Sequence, residues 1–243
     1  MADSTTFEQL GLSEPLLQTL SDLGYESPTP VQEQSIPILM KRQDILAQAQ
    51  TGTGKTAAFA LPILHSLDLE LQQPQALVIA PTRELAIQVA EAFQSYAKRL
   101  SDFHVTPIYG GQDYRIQLRS LKRGPHVIVG TPGRLLDHLR RGTLNVSKVK
   151  TVVLDEADEM LKMGFVEDIT EILDNIPEEH LTALLSATMP AAIQKIAKRY
   201  LNNAEKVLIK PKKSHVEAIS QSYVAVDNKQ KLEVLRRLLE VEN

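Results

Sequence analysis

The chain has 243 residues, 43% of them hydrophobic and 23% charged, which reads as an ordinary globular protein with one large core, or one domain and part of a second. It contains no cysteine, which excludes a disulfide framework and a cysteine-ligated zinc site. With 27 Lys and Arg against 30 Asp and Glu the net charge is −3, so this is not a broadly basic nucleic-acid binder, and any polyanion has to meet a local patch.

The N-terminal "MADSTTFEQLGL" lacks the basic-then-apolar layout of a secretory signal, and no apolar run approaches the length of a membrane span. Both features predict a cytoplasmic protein without a membrane partner. Short apolar runs then recur along the chain, at Asp44–Ala49, Ala76–Ala80, Val105–Tyr109, His126–Gly130, Thr151–Asp155, Thr182–Ala187 and Lys206–Ile209. Several are continuously apolar, as strands buried on both faces of a parallel sheet must be. Stretches such as "RELAIQVAEAFQSYAKRL" and "PAAIQKIAKRYL" lie between them, with apolar residues at three- and four-residue spacing. Strand alternating with helix predicts an α/β fold with a mostly parallel sheet.

Ligands of such sheets bind beyond the carboxyl ends of the strands. The segments that follow the strands here read "QTGTGKT", "PTREL", "GGQD", "TPGR", "DEAD" and "SAT". The first fits the phosphate-loop pattern G-x-x-x-x-G-K-[ST] except that Ala49 holds the first glycine position, ahead of Gly52, Gly54, Lys55 and Thr56. Glycines let successive backbone N–H groups converge on phosphate oxygens, and the helix that follows points its positive end at the same anion. Lys55 would neutralise the β and γ phosphates, and the Thr56 hydroxyl would bind Mg²⁺. In "TVVLDEAD", Asp155 at the strand end is placed to hold Mg²⁺, and Glu156 to act as general base toward water. Asp158 would pair with a neighbouring strand end, where "SAT" offers Ser186 and Thr188. Two basic stretches stand out: Arg115, Arg119, Lys122 and Arg123 in one, Arg134–Gly142 in the other.

Taken together and in this order, "AQTGTGKT", "PTREL", "GG", "TPGR", "DEAD" and "SAT" resemble the N-terminal RecA-like domain of DEAD-box RNA helicases. "GYESPTPVQ" (Gly24–Gln32) is similar to the family's Q motif, with Phe7 as the upstream aromatic. The phosphate loop of that family begins with alanine, which accounts for Ala49. The stretches around "LDEADEMLKMGF" and "YGGQDYRIQLRSLKRG" look most like bacterial members of the cold-shock and ribosome-assembly type.

The resemblance implies a RecA-like P-loop domain over residues 1–210, with helices on both faces of the sheet, a Q motif at 7–34, the phosphate loop at 49–56 and the acidic box at 155–158. ATP and Mg²⁺ are the implied cofactors. ATP would be bound by Phe7, Tyr25, Gln32, Ala49, Gln50, Thr51, Gly52, Thr53, Gly54, Lys55 and Thr56, with Tyr25 stacking on adenine and Gln32 reading its edge. The metal would sit at Thr56 and Asp155. Lys55, Asp155, Glu156, Asp158, Ser186 and Thr188 would carry hydrolysis and its coupling. RNA would be held through its backbone by Pro81, Thr82, Arg83, Gly110, Gly111, Gln112, Thr131, Pro132, Gly133 and Arg134. The implied partners are RNA, a second RecA-like domain, and ribosome-assembly or RNA-decay proteins.

A guanine reader of the N-K-x-D type is not matched, since "NKQK" at Asn228–Lys231 lacks the acid. Three functions share the phosphate loop: an ATP-dependent RNA helicase, a nucleotide-switched RNA clamp, and an ATPase acting on protein or membrane partners. Only the last gives no reason for the "PTREL", "GG" and "TPGR" loops. Beyond Ile209 the expectation is an exposed linker in "KPKKSHVEAIS", a strand over Gln221–Val226 and an amphipathic helix carrying Leu232, Leu235, Leu238 and Leu239. Residues 211–243 would then be a linker and the truncated start of the second domain. A chain of this extent would bind nucleotide weakly, RNA very weakly, and unwind nothing by itself.

Overall fold

The structure is a computed structural model that describes residues 5–209 and 222–241. A short 3-10 turn (Glu8–Leu10) leads into helices α1 (Glu14–Asp22) and α2 (Pro30–Met40). Strands and helices then alternate: β1 (Ile45–Gln48), α3 (Lys55–Ser66), β2 (Ala76–Ile79), α4 (Arg83–Tyr96), β3 (Val105–Ile108), α5 (Tyr114–Lys122), β4 (Val127–Gly130) and α6 (Pro132–Arg140). They are followed by β5 (Thr151–Leu154), α7 (Ala157–Lys162), α8 (Val166–Asp174), β6 (Leu181–Ser186), α9 (Ala191–Tyr200) and β7 (Glu205–Leu208).

All seven apolar runs become strands of one sheet in the order β3-β4-β2-β5-β6-β1-β7, and every pair is parallel. The near-continuous hydrophobicity has the expected cause. Successive residues of a strand point to opposite faces, and here both faces are covered. Ile45, Ala47, Ala76, Val78, Val127, Val129 and Val153 join the core under α1 to α4, where Phe59 meets Phe93. Leu77, Ile79, Ile128, Val152, Leu154 and Leu184 join a second core on the other face, under α6 to α9. Pro107 is tolerated inside β3 because that strand lies at the sheet edge and pairs only with β4.

The strand order lines the six connecting motifs up along one edge of the sheet. Going across it, the loops follow as "GG" after β3, "TPGR" after β4, "PTREL" after β2, "DEAD" after β5, "SAT" after β6 and the phosphate loop after β1. The acidic box therefore lies between the three loops expected at RNA and the two expected at nucleotide.

The chain divides into two compact units, Met1–Lys210 and Pro211–Asn243. In the second, Ser222–Val226 forms no strand, contrary to the expectation; it has no neighbouring strand to complete its backbone hydrogen bonds among the described residues. The amphipathic helix does form, as α10 (Lys231–Val241), and Leu232, Leu235, Leu238 and Leu239 on it are exposed. The linker expected over Lys210–Ser220 lies outside the described residues.

Candidate nucleotide and RNA site

The phosphate loop leaves β1 at Ala49, which is buried and whose N–H donates to the Ser186 carbonyl of the neighbouring β6 (3.1 Å). An alanine suits this entry because the positive φ angles come later, at Gly52 (77°) and Gly54 (91°). Gln50 and Thr51 are exposed at the tip, and the Thr53 hydroxyl closes the turn on the Gln50 carbonyl (2.7 Å). Helix α3 begins at Lys55, so the loop delivers its glycines to a helix N-terminus. The Lys55 side chain is buried and its ammonium donates to the Ala49 carbonyl at 3.0 Å, curling back across the loop. Thr56 is half-buried in the first turn.

Gln32 is 1% exposed, and both ends of its amide are engaged. Its oxygen accepts from the Thr29 N–H (3.0 Å), and its nitrogen donates to the Gly54 carbonyl (3.1 Å). A Cβ on Gly54 would stand 2.4 Å from that nitrogen. The residue expected to read the base is thus wired to the loop expected to hold the phosphates. Tyr25 sits edge-on between Phe7 and Tyr96, with centroids 6.1 and 6.0 Å away, and its hydroxyl meets that of Tyr96 at 2.9 Å. Phe7 is buried, and burial, followed by the Tyr25 contact, pushes the Tyr96 phenol up. Tyr25 is half-buried in this aromatic column. Tyr96 has no local signature in the sequence, because its partner lies 71 residues earlier.

At the end of β5, Asp155 is 3% exposed and accepts the N–H of Glu156 (3.0 Å). Burial pushes its carboxyl up to about 6, against the pull of Lys55, while the Glu156 charge adds to the rise. Glu156 adopts a left-handed conformation (φ 50°), uncommon for a side chain of this type, as the chain turns from strand into α7. Asp158 reaches across to the end of β6 as the spacing suggested. Its Oδ2 accepts from the Thr188 hydroxyl (2.7 Å) and N–H (3.1 Å), while the Ser186 hydroxyl donates to the Thr188 carbonyl (2.6 Å). Burial opposes ionisation of Asp158, but the hydrogen bonds from the Thr188 hydroxyl and the backbone, with the Ser186 hydroxyl close by, outweigh it and hold the carboxyl below its ordinary value.

The other three loops form a second cluster. Pro81 is buried, the Thr82 oxygen caps α4 by accepting from the Leu85 N–H (3.2 Å), and Arg83 is exposed beside Glu84. Arg83 borders the glycine loop, its guanidinium 4.0 Å from where a Cβ of Gly111 would lie. Gly110 and Gly111 are exposed, Gly111 at φ 86°. Thr131 donates its N–H to the Ile108 carbonyl (3.0 Å), Pro132 opens α6, and Gly133 is exposed in its first turn. Arg134 is half-buried and donates to the Gln112 carbonyl (3.3 Å) and to Gln117 Oε1 (3.0 Å). Of the two basic stretches, the one on α5 is open: Arg115, Arg119, Lys122 and Arg123 are exposed, with no ion-pair partner among the described residues. The one on α6 is partly neutralised, Arg140 by Glu171 and Arg141 by Asp137.

Among the described residues no helix is long and apolar enough to cross a membrane. A curated relative, the ATP-dependent RNA helicase DeaD of Escherichia coli (strain K12), is 55% identical over 98% of this chain, which covers 38% of that protein. The protein of the same name from Buchnera aphidicola (Schizaphis graminum) is 54% identical over 98% of this chain, covering 40% of its length. The chain thus spans about two fifths of the length of these relatives. Among solved structures, a DEAD box protein from the hyperthermophile Methanococcus jannaschii superposes with a TM-score of 0.81 at 41% identity, over 96% of this chain and 63% of that one. The DEAD/DEAH box helicase family profile matches residues 29–196, a span that runs from the Gln32 wiring through the phosphate loop and the acidic box to beyond Thr188, and the chain belongs to that family.

Proposed function

We propose that this chain is the N-terminal, nucleotide-binding half of an ATP-dependent RNA helicase, in which ATP binding and hydrolysis are coupled to gripping an RNA backbone. The observation that carries this reading is the linear order of the six motifs along one sheet edge, with the acidic box between the phosphate loop and the three glycine- and arginine-bearing loops. An ATPase acting on a protein alone has no use for the second cluster.

The residues suit ATP with Mg²⁺. Gly52, Gly54 and the start of α3 offer backbone N–H groups to phosphate oxygens, and Lys55 exchanges its Ala49 carbonyl for the phosphate charge. Asp155 is a buried carboxylate whose charge Lys55 offsets only in part, and a hard divalent cation bound by oxygen ligands would complete it, with Thr56 as the hydroxyl ligand. The metal, when bound, neutralises charge on the phosphates. Glu156, at the bend after β5, accepts a proton from the attacking water at its carboxylate. Gln32 reads adenine through an amide that both donates and accepts, exchanging protein partners for the base.

Thr82, Arg83, Gly110, Gly111, Gln112, Thr131, Gly133 and Arg134 would face the RNA backbone, with the buried Pro81 and Pro132 shaping their loops, and such contacts give affinity without base specificity. The arginines that stabilise the developing phosphate charge would come from a second RecA-like domain in the longer protein. Photo-crosslinking the chain to single-stranded RNA tests the reading. Crosslinked peptides carrying Thr82–Arg83 and Gly110–Gln112 are expected. Crosslinks confined to other faces, or none at low salt even in the longer protein, would leave an ATPase without an RNA role.

A further inference from the structure

Beneath the proposed RNA surface lies a buried polar cluster that the nucleotide and RNA readings leave unused. Gln117 on α5 is 1% exposed and His138 on α6 is fully buried. Gln117 Oε1 lies 2.9 Å from His138 Nε2 and 3.0 Å from Arg134 Nη1, and its Nε2 donates to the Tyr109 carbonyl (2.8 Å), just ahead of Gly110 and Gly111. His138 Nδ1 meets the Thr143 hydroxyl at 2.8 Å. The Tyr114 ring stacks on the imidazole (4.4 Å, 5°), with the guanidinium of Arg134 5.7 Å and that of Arg141 5.0 Å from its centre.

The donors and acceptors allow one arrangement. Arg134 can only donate, so the Gln117 atom facing it is the carbonyl oxygen. That leaves the amide NH₂ for the Tyr109 carbonyl and requires His138 to carry its proton on Nε2, which makes Nδ1 an acceptor for the Thr143 hydroxyl, itself also 3.1 Å from the His138 carbonyl. Flipping the amide would set NH₂ against a guanidinium and an oxygen against an oxygen. The imidazole therefore fixes the amide, and the amide fixes two things at once: the backbone entering the glycine loop and the guanidinium of Arg134, which also holds the Gln112 carbonyl. Burial, aided by the Arg134 charge, keeps the imidazole neutral by lowering its pKa to about 4, so it remains able to accept from Thr143 at neutral pH.

We propose that Gln117 and His138 are positioning residues for RNA binding, setting through Arg134 and the Tyr109–Gln112 backbone how many phosphates the surface neutralises without touching RNA themselves. The proposal rests on the RNA reading above.

Neither residue is charged at neutral pH, and that makes the role separable from a loss of charge. Each phosphate neutralised on a single strand adds about 0.7 to the slope of log affinity against log salt. The test measures binding of a short oligouridine to the 243-residue chain across salt concentrations, with adenine-nucleotide affinity in parallel. His138→Leu is expected to weaken RNA binding by about 3–10-fold and to flatten the salt slope by about 0.7, as if one cation had been removed. Arg134→Gln should do the same, and the double variant should add little, because both act on one contact. His138→Gln, whose amide can still donate to Gln117, should stay within about twofold of the parent, and all four should bind nucleotide equally. Thr143→Val provides a milder variant that removes the hydroxyl shared by His138 and Tyr114 while keeping the imidazole, should His138→Leu not fold. An unchanged slope in folded His138→Leu or Thr143→Val, with the parent binding RNA, would reduce the cluster to packing. No salt-dependent RNA binding even by the longer protein that carries the second domain would instead overturn the RNA reading itself.

Discussion

Lys55 holds the Ala49 carbonyl at 3.0 Å, a modest partner for a buried ammonium. A phosphate is a better one, because a charge-assisted hydrogen bond is about twice as strong as a neutral one. Lys55→Ala should therefore weaken adenine-nucleotide binding by about 10–100-fold in a titration, the 1.5–3 kcal/mol of a hydrogen bond to a charged group; unchanged affinity would remove the loop from the site. Glu156 stands at the bend where β5 becomes α7. In the longer protein, Glu156→Gln should keep nucleotide affinity and lower turnover by about 10²–10⁴-fold, since an amide cannot take the proton. Turnover equal to the parent would take the proton transfer elsewhere. Gly54 is constrained twice, by φ 91° and by Gln32 packed where a Cβ would go. Gly54→Ala should lower unfolding free energy by about 1–3 kcal/mol in denaturant titrations, the cost of a non-glycine residue held in such a conformation. A neutral result would mean that Gln32 moves aside freely.

Elements show where sequence was legible and where it was not. Every strand run was visible because a parallel sheet covered on both faces needs unbroken apolar segments, and Ala76–Ile79 and Val127–Gly130 have no exposed residue. The Asp158–Thr188 pairing was legible too, since β5 and β6 are neighbours and each ends in its motif. The strand expected over Gln221–Val226 misled because Tyr223, Val224 and Val226 carry strand propensity without supplying a partner strand. The α5–α6 cluster was hidden because Gln117 and His138 are 21 residues apart and neither belongs to a recognisable motif. That cluster has its own pH signature. Tyr114 of α5 and Arg134, Asp137 and Arg141 of α6 face or flank the imidazole. Its folded pKa, about 4, lies below the ordinary 6.5, so the unfolded chain binds the proton more readily. The contribution to stability is whole above pH 6.5 and is lost as pH falls toward 4. His138→Gln should remove on the order of 1–2 kcal/mol of the stability difference between pH 7 and pH 5, read by urea unfolding. An identical pH dependence in parent and variant would mean that the imidazole is not held neutral.

At the scale of the whole molecule, a chain of net charge −3 would have to meet a polyanion through local geometry rather than bulk attraction. The sheet order supplies such a geometry, setting the phosphate loop, the acidic box and the loops proposed to face RNA in line on one edge. Asp158 ties the acidic box to the end of β6, and Gln32 ties the segment expected to read the base to the phosphate loop. The chain spans about two fifths of its curated relatives' length, and the proposed mechanism calls on a second domain for the arginines that complete the transition-state charge. The most direct measurement is ATP turnover by the longer protein and by this 243-residue chain, each with and without single-stranded RNA. The account predicts RNA-stimulated turnover in the longer protein and almost none in the chain alone, a difference on the order of 10³-fold. Turnover in the longer protein that is indifferent to RNA would contradict the coupling of the two clusters along the sheet edge.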